Sequence, residues 1–542
     1  MPDKTIEFSE RLGFSSLFQD YVYHPERVAP FFAQDTLERT AERVLSLAYD
    51  REALVDILTR QNRSWGAPGD VLASIARLRQ PKAVAVMTGQ QAGLFGGPYL
   101  VVLKMLAAVK AARQMEQRLS IPVVPIFWIA ADDHDFKEVS LVDLFDQSGR
   151  LCRLAIDCDD DREYPPVGMM SYDASLQEAI DRLKALLPDN DFKEIALGRI
   201  EAAYQIGRPI ADCFAQYLLG LLGRFGIVLF NPNDREFKGQ VSPLLQDIVK
   251  RHQPIKEVLR QTGEALRAAG YHLQVQKSEG AAHLFRHDPE RRAIRHADDV
   301  FAVGRQRLAA GELIALIAGQ PHQFSPDVLT RPLMQSVFFP TVAVIAGPAE
   351  VAYFAQLMPL YDLLGLIRPH VFPRPSMTLI ESRFQKLMDR YRIGLPELTI
   401  DLEATINRLM QDSFPDDLEQ VMRKYSASIG DGLQEVKERL TSFDPSLSGM
   451  VDQTGERIEY LLKELHKKLF AAHKKRNAED RDKLYRAQQQ LFPNLGLAER
   501  SIAAVYFVSR YGEAIFDCIY ENLQPGETGH QLLLLTECNG QA

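Results

Sequence analysis

Cysteine is scarce in this sequence, and no two cysteines stand in a CxxC pair. The residues that occur are odd in number and widely spaced: Cys152, Cys158, Cys213, Cys518 and Cys538. Disulfide scaffolds and structural zinc sites use even or closely spaced sets of cysteines, so the sequence disfavours both. The pattern is typical of the reducing cytoplasm, which is the predicted location, and we expect no cysteine-based metal site.

An excess of basic residues is also absent. The chain has 63 Lys and Arg residues against 72 Asp and Glu residues, which gives a formal net charge of −9. A protein that binds nucleic acid needs basic residues to neutralise phosphates, so we expect no nucleic-acid partner.

Long apolar runs are missing as well. None approaches the roughly 20 residues that a membrane-spanning helix needs, and the N-terminal MPDKTIEFSE has no apolar signal core. We therefore expect no membrane partner. A hydrophobic fraction of 46% and a charged fraction of 25% are instead typical of a soluble globular protein, and 542 residues exceed the roughly 100–200 of one domain.

The most informative segment runs from Val84 to Glu138. A short apolar run predicts a buried strand, and a glycine-rich turn then leads into a helical run. Glycine permits close backbone approach and a helix N-terminus attracts anions, so the turn is a candidate cradle for an anionic ligand. The alternative is a tight turn whose glycines serve packing. The candidate residues are Gly89, Gln90, Gln91, Gly93, Gly96 and Gly97, with Lys104 about two helical turns inward.

A second apolar run, from Pro122 to Ala131, predicts a buried parallel strand, and four ionisable residues follow it directly. Clustered charges perturb each other's pKa values, which is a common property of active sites. The alternative is that one aspartate caps a helix while the others are solvated. The candidate residues are Trp128, Asp132, Asp133, His134 and Asp135. His134 is a candidate general acid or base, with binding of a phosphate or a metal as the alternative.

A third group of candidates lies around a strand-like run from Pro340 to Ala346. Arginine binds carboxylate and phosphate bidentately, so Arg331 and Arg374 are candidate clamps, although a surface salt bridge is the alternative for each. The candidate residues that accompany them are Gln335, Gly347, Glu350, Tyr353, Ser376 and Thr378.

The region between residues 236 and 324 contains several histidines, among them His272, His283, His287 and His296. Two of them are four residues apart, but no clear third ligand accompanies them, and zinc sites need three or four ligands. We expect hydrogen-bonded or solvated surface histidines and no metal site.

Long amphipathic helices follow residue 384. Apolar residues at three- and four-residue steps continue to Leu440, and a second series follows the turn at Asp444 and Pro445. This pattern predicts an antiparallel hairpin or coiled coil that uses a second chain as its partner.

The last apolar block could contribute a second nucleotide pocket, for which the candidates are Arg500, Tyr506 and Arg510, with ordinary packing as the alternative for Tyr506.

These blocks, in this order, resemble the family of cysteine-adding enzymes of bacillithiol biosynthesis. The matching segments are TGQQAGLFGGP, PVVPIFWIAADDHDF, FSPDVLTRPLMQ, AGPAEVAYFAQL and PRPSMTLIE, with LFPNLGLAERSIAAVYFVSRYG as a further match. The resemblance covers most of the chain. It implies an α/β, Rossmann-like core similar to class I aminoacyl-tRNA synthetases and nucleotidyltransferases, with two insertions and a C-terminal coiled coil that forms a homodimer.

The predicted order of segments follows from the patterns and the resemblance together. It is 1–150 for the N-terminal helices and the first part of the core, 151–205 for the first insertion, 206–235 for core, 236–324 for the second insertion, 325–384 for the last part of the core, 385–490 for the coiled-coil arm, and 491–542 for a segment that packs back on the core.

The resemblance also implies a reaction, the joining of L-cysteine to the amine of glucosaminyl-malate in the last step of bacillithiol biosynthesis. A free carboxylate acylates an amine poorly, so an activator is needed, and ATP with Mg²⁺ is the expected one. The His-x-Gly-His and lysine–serine signatures of class I synthetases are absent, which leaves phosphate or adenylate activation open. Two alternatives also stay open: a nucleotidyltransferase of the same superfamily, and a non-catalytic coiled-coil scaffold with a ligand-binding α/β core.

Overall fold

The computed structural model describes residues 5–32, 35–133, 135–157, 164–287, 290–399 and 401–538. The predicted catalytic His134 lies outside these ranges, as does Cys158. The chain divides into two units, residues 1–381 with 496–542, and residues 382–495.

Strands occur in the first unit, numbered here in chain order. They are β1 Thr5–Glu7, β2 Val84–Gln90, β3 Val123–Ile129, β4 Leu141–Phe145, β5 Leu151–Ala155, β6 Val228–Phe230, β7 Ala281–His287, β8 Arg291–Ala297, β9 Val300–Val303, β10 Gln306–Leu308, β11 Phe324–Pro326, β12 Thr341–Ala346, β13 His370–Pro373, β14 Ser376–Ile380 and β15 Gly529–Leu534.

The helices are likewise numbered in chain order. They are α1 Ser16–Tyr23, α2 Pro25–Val28, α3 Leu37–Leu45, α4 Arg51–Ser64, α5 Gly69–Arg77, α6 Leu100–Leu119, α7 Phe136–Val139, α8 Ser175–Leu186, α9 Lys193–Ala203, α10 Ile210–Leu222, α11 Arg235–Lys250, α12 His252–Ala268, α13 Ala310–Gly319, α14 Arg331–Phe338, α15 Pro348–Leu363, α16 Ser382–Tyr391, α17 Leu395–Thr399, α18 Leu402–Asp412, α19 Asp416–Phe443, α20 Ser448–Arg476, α21 Ala478–Leu491, α22 Ala504–Tyr511 and α23 Ala514–Asn522.

The core of the first unit is a parallel sheet with the strand order β13-β12-β2-β3-β6. If these five strands alone are numbered 1 to 5 along the chain, their order is 5-4-1-2-3. Written from the other edge this is 3-2-1-4-5, the arrangement of a Rossmann sheet. The predicted Rossmann-like core is therefore confirmed. The strand order reverses between β2 and β12, and ligands of such sheets bind outside the carboxyl ends of the strands at this switch point.

The sheet forms where the sequence predicts it because β2, β3 and β12 are short apolar runs buried on both faces. Helix α6 covers β2 and β3 with a nearly continuous apolar surface that includes Leu103 and Leu106. Each such fully buried leucine contributes about 1.5–3 kcal/mol relative to an exposed one. Lys104 is the exception within this buried helix, with only 3% of its surface exposed.

Three further sheets occur in the described part of the first unit. The strands β4 and β5 form an antiparallel hairpin, and an antiparallel sheet of order β10-β9-β8-β7-β11 occupies the region of the predicted second insertion. The third sheet has the order β1-β15-β14, in which β15 runs antiparallel to β1 and parallel to β14. Residues from both ends of the described chain thus meet in one sheet.

The second unit consists of helices α16 to α21. Its longest elements, α19 and α20, have 28 and 29 residues and lie antiparallel, because Lys437 pairs with Asp452 at 2.6 Å while Glu419 pairs with His466 at 3.1 Å. The predicted coiled coil is therefore confirmed. Helix α19 ends at Phe443, beside the turn that the sequence indicates.

The cysteine argument needs a correction. Cys518 of α23 and Cys538 form a disulfide, while Cys152 and Cys213 are free. A sequence separation of 20 residues hides this pair, because only the return of β15 brings the two cysteines together. Among the described residues, no helix is both long enough and apolar enough to cross a membrane.

Candidate active site

A cavity of about 840 Å³ opens at the switch point between the carboxyl ends of β2 and β12. Its volume falls within the roughly 300–1,000 Å³ of small-molecule sites. The predicted site residues that line it are Gly89, Gln90, Gln91, Lys104, Trp128, Arg331, Gly347, Glu350, Tyr353, Arg374 and Arg500. Residues separated by up to 411 positions in sequence therefore share one concave surface.

Lys104 connects the two strand ends. Its ammonium donates to the Gly89 carbonyl at 2.8 Å and to Gln90 Oε1 at 3.0 Å, and it lies 2.5 Å from Glu350 Oε2. An ammonium has three donors, so these contacts use all of them. Burial lowers the pKa of Lys104, and the Glu350 carboxylate offsets part of that shift. Lys104 thus fixes the cavity wall and supplies buried positive charge beside it.

Glu350 occupies the first turn of α15, the helix that follows β12. Its Oε2 accepts a hydrogen bond from the backbone N–H of Gly347 at 2.6 Å, which caps the helix. A Cβ at Gly347 would lie 3.2 Å from this oxygen, so the close approach favours glycine. The positive end of the α15 dipole, bordered by Gly347, Pro348 and Ala349, therefore faces the cavity.

Arg331 opens helix α14 at the other side of the cavity. It donates to the Tyr353 hydroxyl at 3.1 Å and to Gln335 Oε1 at 3.3 Å, and its guanidinium lies 5.8 Å from the Trp128 ring centre. Guanidinium has five donors, and these contacts use two of them. Gln335 is buried and supports Arg331 without lining the cavity.

Arg374 and Arg500 add two further guanidinium groups to the lining. Arg500 donates to the Gly13 carbonyl at 3.3 and 3.4 Å and lies 5.1 Å from the Phe14 ring centre. Arg374 is only 4% exposed and donates to Glu499 Oε1 at 2.6 Å. Three arginines and one lysine therefore surround a single cavity, which suits a ligand with several anionic groups.

A buried network behind Arg374 includes two predicted binding residues, Ser376 and Thr378. The Ser376 hydroxyl donates to Glu499 at 2.8 Å and lies 2.8 Å from His530 Nδ1, while the Thr378 hydroxyl lies 2.8 Å from His530 Nε2. Both hydroxyls are used in this network, and neither residue lines the cavity. Ser376 and Thr378 therefore hold the support of Arg374, and their direct contact with substrate stays a prediction.

The same network contains two residues that sequence reasoning missed, Glu499 and His530. Burial would raise the pKa of Glu499, but Arg374 outweighs it and holds that pKa below its usual range. Burial lowers the pKa of His530 to about 4. The sequence carries little signal for either residue, since each acts on Arg374 from more than 120 positions away.

The described members of the acidic cluster have separate structural tasks. Asp132 is buried in an ion pair with Lys238, whose Nζ lies 2.9 and 3.1 Å from its oxygens. Asp135 caps α7 by accepting from the Glu138 N–H at 3.1 Å, and Asp133 accepts from Gln91 at 3.1 Å. None of these three aspartates lines the cavity. The helix-capping alternative thus holds for Asp135, whereas Asp132 is paired and buried instead of solvated.

Glu138, which sequence reasoning did not select, is the carboxylate of this region that lines the cavity. Burial raises its pKa, a hydrogen bond from Gln91 opposes the shift, and the carboxylates of Asp135 and Asp133 add to it. Its position three residues after a helix-capping aspartate was the available signal, since Asp135 and Glu138 then share one turn.

The glycine turn divides into two parts. Gly89 lies in β2 and lines the cavity, and a Cβ there would meet the Trp128 carbonyl at 2.5 Å. Gly93, Gly96 and Gly97 do not line it. Gly96 has φ of +86° and faces the Tyr217 ring, which a Cβ would approach to 2.7 Å. The packing alternative therefore describes these three glycines better than an anion cradle does.

The predicted second nucleotide pocket is not assembled from its three residues. Tyr506 is buried and donates to Glu381 at 3.0 Å, and its ring packs against Phe507. Arg510 lies over the Tyr506 ring at 4.9 Å, whereas Arg500 lines the main cavity. The packing alternative for Tyr506 is the one that the structure supports.

Two histidines of the inserted region differ from the expected surface residues. His283 and His287 are buried, with Asp327 at 2.9 Å from His283 Nδ1 and Ser325 at 2.7 Å from His287 Nε2. They are hydrogen-bonded as expected but lie inside the fold, because β7 and β11 pair there. Among the described residues, no group of three or more His, Cys, Asp or Glu side chains could hold a metal ion.

Comparisons with known proteins place this geometry in a family. A model of the N-terminal Rossmann-like domain of the bacillithiol biosynthesis protein BshC matches residues 1–375, and a model of its C-terminal coiled-coil domain matches residues 377–535. The chain belongs to the BshC family. The predicted family is therefore confirmed, and with it the predicted enzyme class, a ligase.

Several BshC relatives align over almost their full length. A protein of Salinibacter ruber is 31% identical, covering 98% of this chain and all of the relative, and one of Koribacter versatilis is 32% identical, covering 96% and 97%. A third, of Geobacillus thermodenitrificans, is 30% identical and covers 90% and 91%. All three are named, provisionally, cysteine ligase BshC.

One solved structure, from Campylobacter jejuni and provisionally titled an arginyl-tRNA synthetase, covers 79% of this chain and 92% of its own. It is 10% identical with a TM-score of 0.22, which is too low to support an argument about fold. The likeness to class I synthetases stays a prediction.

Proposed function

We propose that this BshC family member joins L-cysteine to the amine of glucosaminyl-malate, in the last step of bacillithiol biosynthesis. The observation that carries the proposal is the cavity at the switch point, where Arg331, Arg374 and Arg500 converge. Malate contributes two carboxylates and cysteine a third, and guanidinium groups recognise carboxylates with paired hydrogen bonds. The family assignment supports the same conclusion.

Arg331 and Arg500 are the proposed contacts for the malyl carboxylates. Both line the cavity, and both retain donors that no described residue accepts from. Arg374 donates to Glu499 and to the Pro375 carbonyl, so it supplies a fixed positive charge and not a free pair of donors for a carboxylate. The buried Trp128 Nε1 has no hydrogen-bond partner among the described residues, which leaves a donor in the lining for a polar ligand.

The amine must lose a proton before it attacks the activated carboxyl carbon. Glu138 is the proposed base, because it lines the cavity and burial raises its pKa toward the working pH. Gln91 hydrogen-bonds both Glu138 and Asp133, so Asp133 can help to orient the Gln91 amide against the Glu138 carboxylate. His134 remains a proposed acid or base from the sequence.

Activation of cysteine is proposed to use ATP with Mg²⁺, which would place a phosphate or adenylate on the cysteine carboxylate as the leaving group. The amide bond then forms between the carbonyl carbon and the sugar amine, and one carboxylate oxygen departs with the phosphate. The cationic lining and the N-terminus of α15 fit the phosphate groups of such a donor. The surrounding residues stabilise charge that develops on the departing oxygens.

The deciding experiment incubates the purified protein with glucosaminyl-malate, L-cysteine and Mg-ATP and follows products by mass spectrometry. We expect bacillithiol together with AMP or ADP, and loss of product in Arg331→Ala. His134→Ala is the matched test of the sequence-based prediction, and full ligation by this variant would remove His134 from the mechanism. A nucleotide-linked product formed without cysteine would favour the nucleotidyltransferase alternative instead.

A homodimer through the hairpin of α19 and α20 is a further proposal. Large apolar side chains of this hairpin are exposed, including Val421, Tyr425, Val436, Tyr460 and Leu461. Such a surface is typical of a helix–helix interface. Light scattering of the intact protein would give twice the 61.2 kDa chain mass if the proposal holds. Separately, we propose a cytoplasmic location.

A further inference from the structure

A second cavity, of about 390 Å³, lies within the first unit and shares no lining residue with the candidate active site. Helix α12, the segment 273–279 and the start of β7 form most of its lining. Its volume also falls within the roughly 300–1,000 Å³ of small-molecule sites.

Cationic side chains dominate the rim of this cavity, although the whole chain carries a net charge of −9. Among the described residues of its lining, Glu279 is the one carboxylate, and it lies 3.6 Å from a lysine of α12. The cations are Lys256, Arg260, Arg267 and Lys277. Arg260 is paired with Glu257 and Glu264 of its own helix. Lys277 lies 3.5 Å from Asp327 Oδ2, a single long contact that leaves further donors of its ammonium. Arg267 and Lys277 are therefore the cations assigned to a ligand.

A buried histidine completes the lining. His283 is 7% exposed, and its Nδ1 is 2.9 Å from Asp327, whose other oxygen accepts from the Leu329 and Thr330 N–H groups. Among the described residues, Nε2 of His283 has no hydrogen-bond partner, although the ring lines the cavity. The backbone of His283 has φ of +59°, in the left-handed region that residues other than glycine rarely adopt. Such outliers concentrate at functional sites.

The two cavities are separated by a shared wall in which neighbouring residues alternate. His272 and Gln274 line the active-site cavity, whereas Leu273 and Val275 line the second one. Gln356 of α15 holds this segment by bonding both the N–H and the carbonyl of Val275, each at 2.9 Å. A movement of the segment therefore changes both cavities together.

The same alternation continues in the loop before α14. Val328 lines the active-site cavity and Leu329 lines the second cavity. Asp327, which orients His283, also accepts the backbone N–H of Arg331 through its carbonyl at 2.8 Å. A ligand at His283 is thus connected through Asp327 to the backbone of Arg331, the residue whose side chain we assign to substrate.

From this arrangement we infer that the second cavity binds a small dianion, carried as a phosphate or a pair of carboxylates, and that its occupancy changes substrate affinity at the active-site cavity. Arg267 and Lys277 contact the anion, and the Nε2 edge of the His283 ring borders it. The effect is reciprocal, because each ligand changes the affinity for the other by the same factor. The binding site stands on its own geometry, whereas its coupling rests on the proposed function.

Calorimetric titration of the full-length protein with inorganic phosphate, and separately with succinate, tests the site. The variant is R267Q/K277Q, and the matched control is R305Q/R307Q, which removes two exposed cations of the same inserted region outside both cavities. We expect wild type and control to bind at least one of the two dianions, and R267Q/K277Q to bind it at least tenfold more weakly. Equal thermal midpoints of the two double variants verify that both fold.

Equal dianion binding by R267Q/K277Q and the control would overturn the site, and so would absence of binding to wild type in both arms. Binding that only Arg331→Ala removes would place the anion in the active-site cavity and overturn it too. For the coupling, a saturating dianion should change the KM for glucosaminyl-malate at least threefold in wild type and control but not in R267Q/K277Q. An unchanged KM overturns the coupling. Complete absence of ligation refutes the proposed function instead, and the titration still decides the site.

Discussion

Two buried lysine–carboxylate pairs stand at neighbouring strand ends of the same sheet. Lys104 meets Glu350 at 2.5 Å beside the switch point, and Lys238 meets Asp132 at 2.9 Å after β3. Burial lowers the pKa of both lysines. Only the first pair lines the active-site cavity. Location relative to the switch point, and not residue chemistry, therefore separates the pair that lines the cavity from the pair that lies outside it.

The largest expected effect comes from breaking the Lys238–Asp132 pair, which lies outside the cavity. Lys238→Met leaves the Asp132 carboxylate buried without its partner, which costs about 3–5 kcal/mol. Urea denaturation should report this loss, while ligation per folded molecule stays close to wild type. The double variant K238M/D132L should recover most of the stability, since apolar residues can replace a buried pair. A Lys238→Met protein of wild-type stability would contradict the structural role.

His530 belongs to a second buried region outside the cavity, the network behind Arg374. Its folded-state pKa of about 4 lies below the ordinary value of 6.5, so the unfolded chain takes up the proton first as the pH falls. The associated stability is fully present above pH 6.5 and is lost as the pH falls toward 4, to a total of about 3 kcal/mol.

Denaturation at a series of pH values between 7 and 4 measures this contribution. His530→Asn should lack that part of the pH dependence while other titrating groups keep theirs. An unchanged pH profile in the variant would show that His530 does not carry it.

A change in the Lys104–Glu350 pair, which lines the cavity, should affect activity more than stability. Glu350→Gln keeps the size of the side chain but weakens its hold on Lys104 and on the Gly347 N–H, so we expect kcat/KM to fall about 10²-fold. Steady-state kinetics measures this, and denaturation should give a smaller loss than for Lys238→Met. The reverse ranking of the two variants would remove the distinction between the pairs.

The smallest effect concerns Glu138. Because its pKa is raised and the base must be unprotonated, the rate should fall as the pH drops through that pKa. We expect Glu138→Gln to reduce kcat about tenfold and to abolish this acidic limb of the rate profile. Asp135→Asn, which affects the adjacent helix cap, serves as the control and should keep the limb. Retention of the limb in Glu138→Gln would exclude the residue as the base.

The sequence was sufficient for the Rossmann-like core because its strands are short apolar runs with polar ends, and parallel strands bring those ends to one edge. It also located Arg331, Glu350 and Lys104, which border the cavity. It could not distinguish Asp132 from Glu138, because the ion pair with Lys238 depends on packing between residues 106 positions apart.

Glycines and remote partners were the harder cases. Gly96 looks like a ligand-binding glycine in sequence, and only the position of the Tyr217 ring reveals its packing role. Glu499 and His530 support Arg374 through pairings between distant segments, which local patterns do not encode. Residues that lie beside the strand ends were therefore predictable, whereas the distant partners that hold Arg374 and Asp132 were not.

The sheet of β1, β15 and β14 gives the protein a dependence on complete synthesis. Its middle strand is the last of the three to leave the ribosome, so a nascent chain that stops before residue 529 cannot join β1 to β14. Such a chain also lacks His530 beside Ser376. Truncated translation products would consequently present an unfinished Arg374 site and two unpaired strand edges, which favour association with other chains.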